Sequence, residues 1–150
     1  MTDRASAEWG DFPCTHLHFV DTPEVVIDVR GHVTADERAA LAAHGLLGAF
    51  SVVTAQDPMG KTQPPEVNRE LAAKLQAHVQ SLGSPYTRVE ACSPDRSHCE
   101  ESIAIALARD EGVRLACEYD QLAIFWFDGD AFWIVPARSS KPAVRLAPER

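Results

Sequence analysis

The chain has 150 residues and a mass of 16.4 kDa, the length of one domain that can bury a core without metal or disulfide staples. Apolar residues make up 45% and charged residues 24%, ordinary for a soluble protein, although 22 of the apolar residues are alanines that bury little area each. A net charge of −8 and a pI near 5.1 exclude a general nucleic-acid or anionic-membrane surface, and no run approaches the roughly 18 apolar residues of a membrane span.

The first dozen residues are polar and read as a mobile arm without the apolar segment of a secretion signal. Thr15 to Val20 fits a short strand, and Glu24 to Arg30 a clearer one, β-branched and bounded by Pro23 and Gly31. Thr34 and Glu37 have capping-box spacing, and the helix they open runs to His44 with Gly45 as its stop. Ala49 to Ala55 is an apolar strand buried on both faces, ending in the turn-forming run Gln56 to Gly60. Pro64 and Pro65 sit where a helix starts. Val67, Leu71, Leu75, Val79 and Leu82 then form its apolar stripe, and Gly83 ends it.

Tyr86 to Cys92 alternates as a strand, Ser93 to Ser97 is a loop, and Ser102 to Leu107 is an antiparallel partner. A short helix over 110–119 leads to the strand Gln121 to Phe127. Asp128-Gly129 predicts a two-residue type I′ turn into Ala131 to Val135, stopped by Pro136. The segment 137–150 carries a local charge of +3 on a body of −11 and reads as mobile.

This order predicts one domain over 1–150 with an ordered core at about 14–136. The fold class is α+β: a ferredoxin-like split βαβ sandwich with helices on one face. A C-terminal hairpin strand and an N-terminal strand-helix extension are added to it. Cys14, Cys92, Cys99 and Cys117 include no CxxC pair, so free thiols and a cytoplasmic location are expected.

The loop Thr54 to Gly60 leaves a buried strand and leads into a helix, a common place for a pocket. Thr54 offers a hydroxyl, Asp57 a carboxylate, Gly60 close backbone approach and Lys61 a cation. The same residues also fit an Asx-Pro turn that merely starts a helix. Gly60-Lys61-Thr62 does not complete a phosphate loop. Cys14, His16 and His18 put three metal-ligand types on one strand face, but their spacing matches no standard zinc pattern, and no metal is assigned. His98 with Glu101 is an alternative acid–base pair, and Cys117 reads as a small core residue. The aromatics Phe125, Trp126, Phe127, Phe132 and Trp133 read as core plus a covered face, or as a homodimer interface.

Four short motifs in order carry a family resemblance. They are Thr54-Ala55-x-Asp57-Pro58, the pair Asn68-Arg69, the step Glu100-Glu101-Ser102, and Gln121-x-Ala123-Ile124. Over about Thr15 to Val135 the chain resembles DUF3293, a family of small, uncharacterised bacterial proteins. It departs from the family pattern at Asp57, where Asn is usual, and at Ile103, where an aromatic is usual. The resemblance brings no established activity and leaves the cofactor unknown. It implies that Thr54, Asp57, Asn68, Arg69, Glu101 and Gln121 form one polar cluster, as a site or as a structural network.

Two functions are therefore expected. The first is a protein or enzyme binding a phosphorylated or nucleotide-like small molecule through Thr54, Lys61, Asn68, Arg69 and Gln121, with Glu101 and Asp57 as candidate catalytic groups. The second is a non-catalytic interaction or oligomerisation domain that uses the aromatic hairpin. Nucleic acid and membrane are not expected partners.

Overall fold

The computed structural model describes residues 9–147; of the mobile arms expected at 1–12 and 137–150, residues 1–8 and 148–150 lie outside them. Among the described residues the fold is α+β, with three full α-helices and eight antiparallel strands. They run β1 (His16–Phe19), β2 (Val26–Asp28), α1 (Ala35–Ala43), β3 (Phe50–Thr54), α2 (Pro65–Leu82), β4 (Tyr86–Cys92), β5 (Cys99–Ile105), α3 (Arg109–Glu118), β6 (Ala123–Phe127), β7 (Phe132–Pro136) and β8 (Val144–Arg145). One sheet holds all eight strands in the order β2-β1-β4-β5-β3-β6-β7-β8.

Local chemistry accounts for the boundaries. The Thr34 hydroxyl accepts from the Glu37 N–H and the Glu37 carboxylate accepts from the Thr34 N–H, which starts α1. Gly45 and Gly83 take left-handed conformations just past α1 and α2. Strand alternation then sorts the apolar residues onto two faces. Val53, Ile103, Ile105, Ile124 and Val135 pack under Leu75 and Val79 of α2 and Leu115 of α3. The other face buries Leu17, Phe19, Phe50, Val52, Phe125 and Phe127.

Several expectations change. Leu41 of α1 joins the cluster opposite α2 and α3, so the three helices do not share one face. Strand β5 begins three residues before Ser102, because the Ser93 hydroxyl accepts from the His98 N–H and tightens the loop into a paired hairpin. Cys92 and Cys99 face each other across that hairpin with Cα atoms 4.0 Å apart and form a disulfide, whereas free thiols were expected; Cys14 and Cys117 remain free. The β6–β7 connection has four residues rather than two. The Asp128 carboxylate accepts from the N–H groups of Asp130 and Ala131 and from Trp133 Nε1, which stabilises the wider turn.

The ordered core also extends beyond 14–136. Trp9 and Phe12 pack on the sheet, and Val144 pairs with Ile134 while Leu146 and Ala147 are buried. Strand β8 therefore covers the outer edge of the aromatic hairpin. No helix among the described residues is long and apolar enough to cross a membrane.

Candidate functional site

The site grows from the end of β3. The Thr54 hydroxyl donates to the Glu101 carbonyl (2.8 Å) and accepts from the Gln56 N–H (3.2 Å), and Gln56 Oε1 accepts from the Glu101 N–H (3.0 Å). The two bonds to Glu101 join the loop to β5, and the third ties Gln56 back to Thr54. Beyond them Asp57 (φ 48°) and Met59 (φ 57°) both adopt left-handed backbone conformations, uncommon for residues with a side chain. Partners on either side hold this shape. The Asp57 N–H donates to Asn68 Oδ1 (3.0 Å), Asn68 Nδ2 donates back to Asp57 Oδ1 (2.9 Å), and the Met59 N–H donates to the Asp120 carbonyl (2.7 Å). Asp57 Oδ1 also accepts from the Gln63 N–H at 3.0 Å.

Gln121 enters from the segment before β6 and is only 8% exposed. Its Nε2 donates to the carbonyls of Gln56 (3.0 Å) and Tyr119 (3.2 Å). Both partners are acceptors, so the amide orientation is determined and Oε1 must lie at the other end. That oxygen takes no hydrogen bond from any described residue.

These elements enclose a pocket of about 390 Å³ on the face opposite α2 and α3. Its apolar wall includes Phe12 stacked on Phe125, with ring centroids 4.3 Å apart and planes 10° from parallel. Thr54, Gln56, Asp57, His98, Glu100 and Gln121 supply its polar part. His98 Nε2 lies 3.4 Å from Glu100 Oε1. Burial raises the Glu100 carboxyl above its ordinary pKa; hydrogen bonding and charge from His98 oppose this, and the neighbouring Asp57 adds to it. One ligand-type atom from each of Asp57, His98 and Glu100 lies within 4.8 Å of the others.

Of the expected site residues, Thr54, Asp57 and Gln121 line this pocket, while Asn68 acts behind it by holding Asp57. Lys61 and Arg69 are exposed and do not line it. Glu101 falls on the other sheet face, beside a second cavity lined by Gln76, Arg88 and Glu90. His98 accordingly pairs with Glu100, not with Glu101. His16 Nε2 lies 3.8 Å from Asp28, and His18 Nδ1 accepts from Arg96 at 2.9 Å. Burial first, then the Arg96 guanidinium and His16, hold the His18 pKa below its ordinary value, against Glu90. Among the described residues, Cys14, His16 and His18 do not converge as a ligand set.

Glu100 and Gln56 are the polar residues that motif reading missed. The signal for Glu100 was the two-residue strand period: Thr54 pairs with Ser102, and Glu100 is the next residue on that face. Placing the start of β5 at Ser102 hid it.

No curated protein and no solved structure matches the chain. Residues 53–124 match the family model DUF3293, a protein of unknown function. That stretch contains the Thr54–Gly60 loop, Asn68, His98, Glu100 and Gln121, and over it the chain is similar to the DUF3293 family.

Proposed function

We propose that the protein binds a small, ring-bearing molecule in the pocket between the Thr54–Gly60 loop, β5 and β6. One observation carries this reading: Gln121 lines the pocket with its amide N–H groups committed to two carbonyls and its oxygen uncommitted. A ligand N–H or O–H directed at that oxygen satisfies it, and burying such a group without a partner costs about 1–3 kcal/mol. The Phe12–Phe125 stack supplies the apolar surface for a ring.

A phosphorylated ligand has less support than it had from sequence. Lys61 and Arg69 were its counter-charges and do not line the pocket, whereas Asp57 and Glu100 do. The interaction-domain or homodimer alternative also loses ground. Phe125, Phe127 and Phe132 are buried, Trp126 lies under Arg109, Trp133 donates to Asp128, and β8 covers β7. The net charge of −8 continues to argue against nucleic acid. The cytoplasmic expectation loses one argument, since two of the four cysteines are paired.

The ferredoxin-like reading of β3-α2-β4-β5-α3-β6 belongs to the same proposal, supported by the antiparallel order β4-β5-β3-β6 with α2 and α3 on one face. So does the single domain, supported by the one continuous sheet.

The test is a thermal-shift screen of the full chain in chelator, using ring-bearing amides, amines and nucleosides beside their phosphorylated counterparts. A ligand at a hundredfold excess over its Kd adds about 2.7 kcal/mol of stability. Ala91→Leu, which extends a side chain into the pocket from a half-buried strand position, removes the expected shift. A shift undiminished by Ala91→Leu, or no shift from any compound, refutes the reading.

A further inference from the structure

We infer that the polar end of this pocket binds a divalent transition-metal cation of the Zn²⁺ or Mn²⁺ class through Asp57, His98 and Glu100. The inference deepens the ligand-pocket reading and rests on the same cavity.

The three residues form a mixed nitrogen and oxygen donor set. One atom from each lies within 4.8 Å of the others. Ligand atoms around an ion at about 2.0–2.2 Å sit about 3–4 Å apart, so closure asks for a movement of about 1 Å. His98 can supply that movement, because its side chain is 64% exposed. The two carboxylates are better anchored. Asp57 is held by Asn68 and Gln63, and Glu100 lies in a paired strand immediately after the Cys92–Cys99 disulfide.

Charge points the same way. Asp57 and Glu100 face each other with His98 as the neighbouring basic group, and among the described residues neither carboxylate pairs with a Lys or Arg. A cation between them relieves that repulsion. The same cavity is lined by Gln121, whose amide oxygen has no bond from any described residue and is not sealed from solvent, so it is open to a group bound beside the ion.

An imidazole with two carboxylates favours Zn²⁺, Mn²⁺ or Fe²⁺ over Mg²⁺ and Ca²⁺, which prefer all-oxygen shells. Three protein ligands leave at least one coordination position for water or a ligand atom, as in zinc sites that act as Lewis acids. A ligand could then be gripped at two points, by the ion and by Gln121.

The test is calorimetric titration of the chelator-stripped full chain with ZnCl₂, MnCl₂ and MgCl₂, without reductant so that the disulfide stays closed. The expected result is one Zn²⁺ per chain, weaker Mn²⁺, and Mg²⁺ at least a hundredfold weaker than Zn²⁺. Asp57→Asn retains an oxygen for Gln63 and Asn68 but removes the charge, and His98→Gln changes an exposed side chain. Each variant keeps the far-UV circular dichroism of the wild type and weakens Zn²⁺ at least tenfold.

Absence of one-to-one uptake, or uptake undiminished in both variants, overturns the inference. Loss of uptake in Cys14→Ser alone overturns it too, by moving the ion to the N-terminal strand. A small-molecule shift in chelator without metal uptake sinks the metal site and leaves the pocket reading standing. Metal uptake without any small-molecule shift does the opposite.

Discussion

Gly112 lies where α3 crosses β3, and adding one methyl group there tests the packing beneath the pocket. A Cβ at this position would lie 2.8 Å from Ser51 Cβ and 3.2 Å from Ile124 Cδ1, and would also meet Ser51 Oγ. Carbon atoms in contact prefer about 3.5–4.0 Å, so the methyl intrudes by about 1 Å on Ser51. Ser51 is fully buried in a central strand and cannot retreat. Overpacking of this kind costs up to about 3 kcal/mol, while Ala in place of Gly returns about 1 kcal/mol of helix propensity. Gly112→Ala is therefore expected to lose about 2 kcal/mol, or roughly 4–8 °C in Tm at this chain length. Thermal denaturation of the full chain followed by circular dichroism measures it. Ser51→Gly removes the obstructing atoms, so the double variant should be more stable than the two single losses added together. A Gly112→Ala protein that melts at or above the wild-type temperature, or strict additivity in the double variant, refutes the reasoning.

Three further perturbations follow from bonds described above. Thr34→Ala removes the capping box of α1 and should cost about 1 kcal/mol, seen as a Tm lower by about 2–4 °C, whereas Thr34→Ser should stay near the wild type. Asn68→Ala removes both bonds to Asp57 and should cost about 1–3 kcal/mol, and chemical-shift changes should reach the pocket residues Gln121 and His98. Burial raises the Asp128 pKa, but donors from Ala131, Trp133 and Asp130, with the Arg145 charge, outweigh it and hold the value below 3.8. A depressed folded value gives stability that is present above the unfolded pKa and lost as pH falls through the folded one. Asp128→Ala should thus lower Tm near neutral pH and narrow its gap to the wild type as pH falls below the ordinary Asp range; a gap that widens in acid refutes the assignment.

Most of the fold was legible because apolar spacing decides it locally. Leu71, Leu75 and Val79 of the α2 stripe pack on the sheet as their spacing predicts, although Leu82 at its end is exposed, and the apolar run from Phe50 to Val53 is buried on both faces. Misreadings arose where side chains compete with backbone pattern. Asp128 collects three donors and converts a two-residue turn into a four-residue one, and Ser93 tightens a loop so that β5 starts early. Strand β8 has two residues and no period to read. The Cys92–Cys99 pairing depends on strand register, which seven residues of separation do not reveal.

The candidate site was half legible for the same reason. Thr54, Asp57, Asn68 and Gln121 converge because the ends of β3 and α3 and the start of α2 meet there. Glu101 was misassigned by one residue, and in a strand one residue means the opposite face. Lys61 and Arg69 are near in sequence to the loop, yet nothing local turned them toward it.

The two ends of the sheet are its shortest strands, three residues at β2 and two at β8. A long bare strand invites another chain to continue the ladder, whereas so few unpaired backbone groups offer little template. Arg145 occupies one of the two β8 positions, and Asp28 closes β2 at the far end. Charge thus reinforces brevity at both borders, and crowding the protein in solution should not readily drive it into fibrils through its rims.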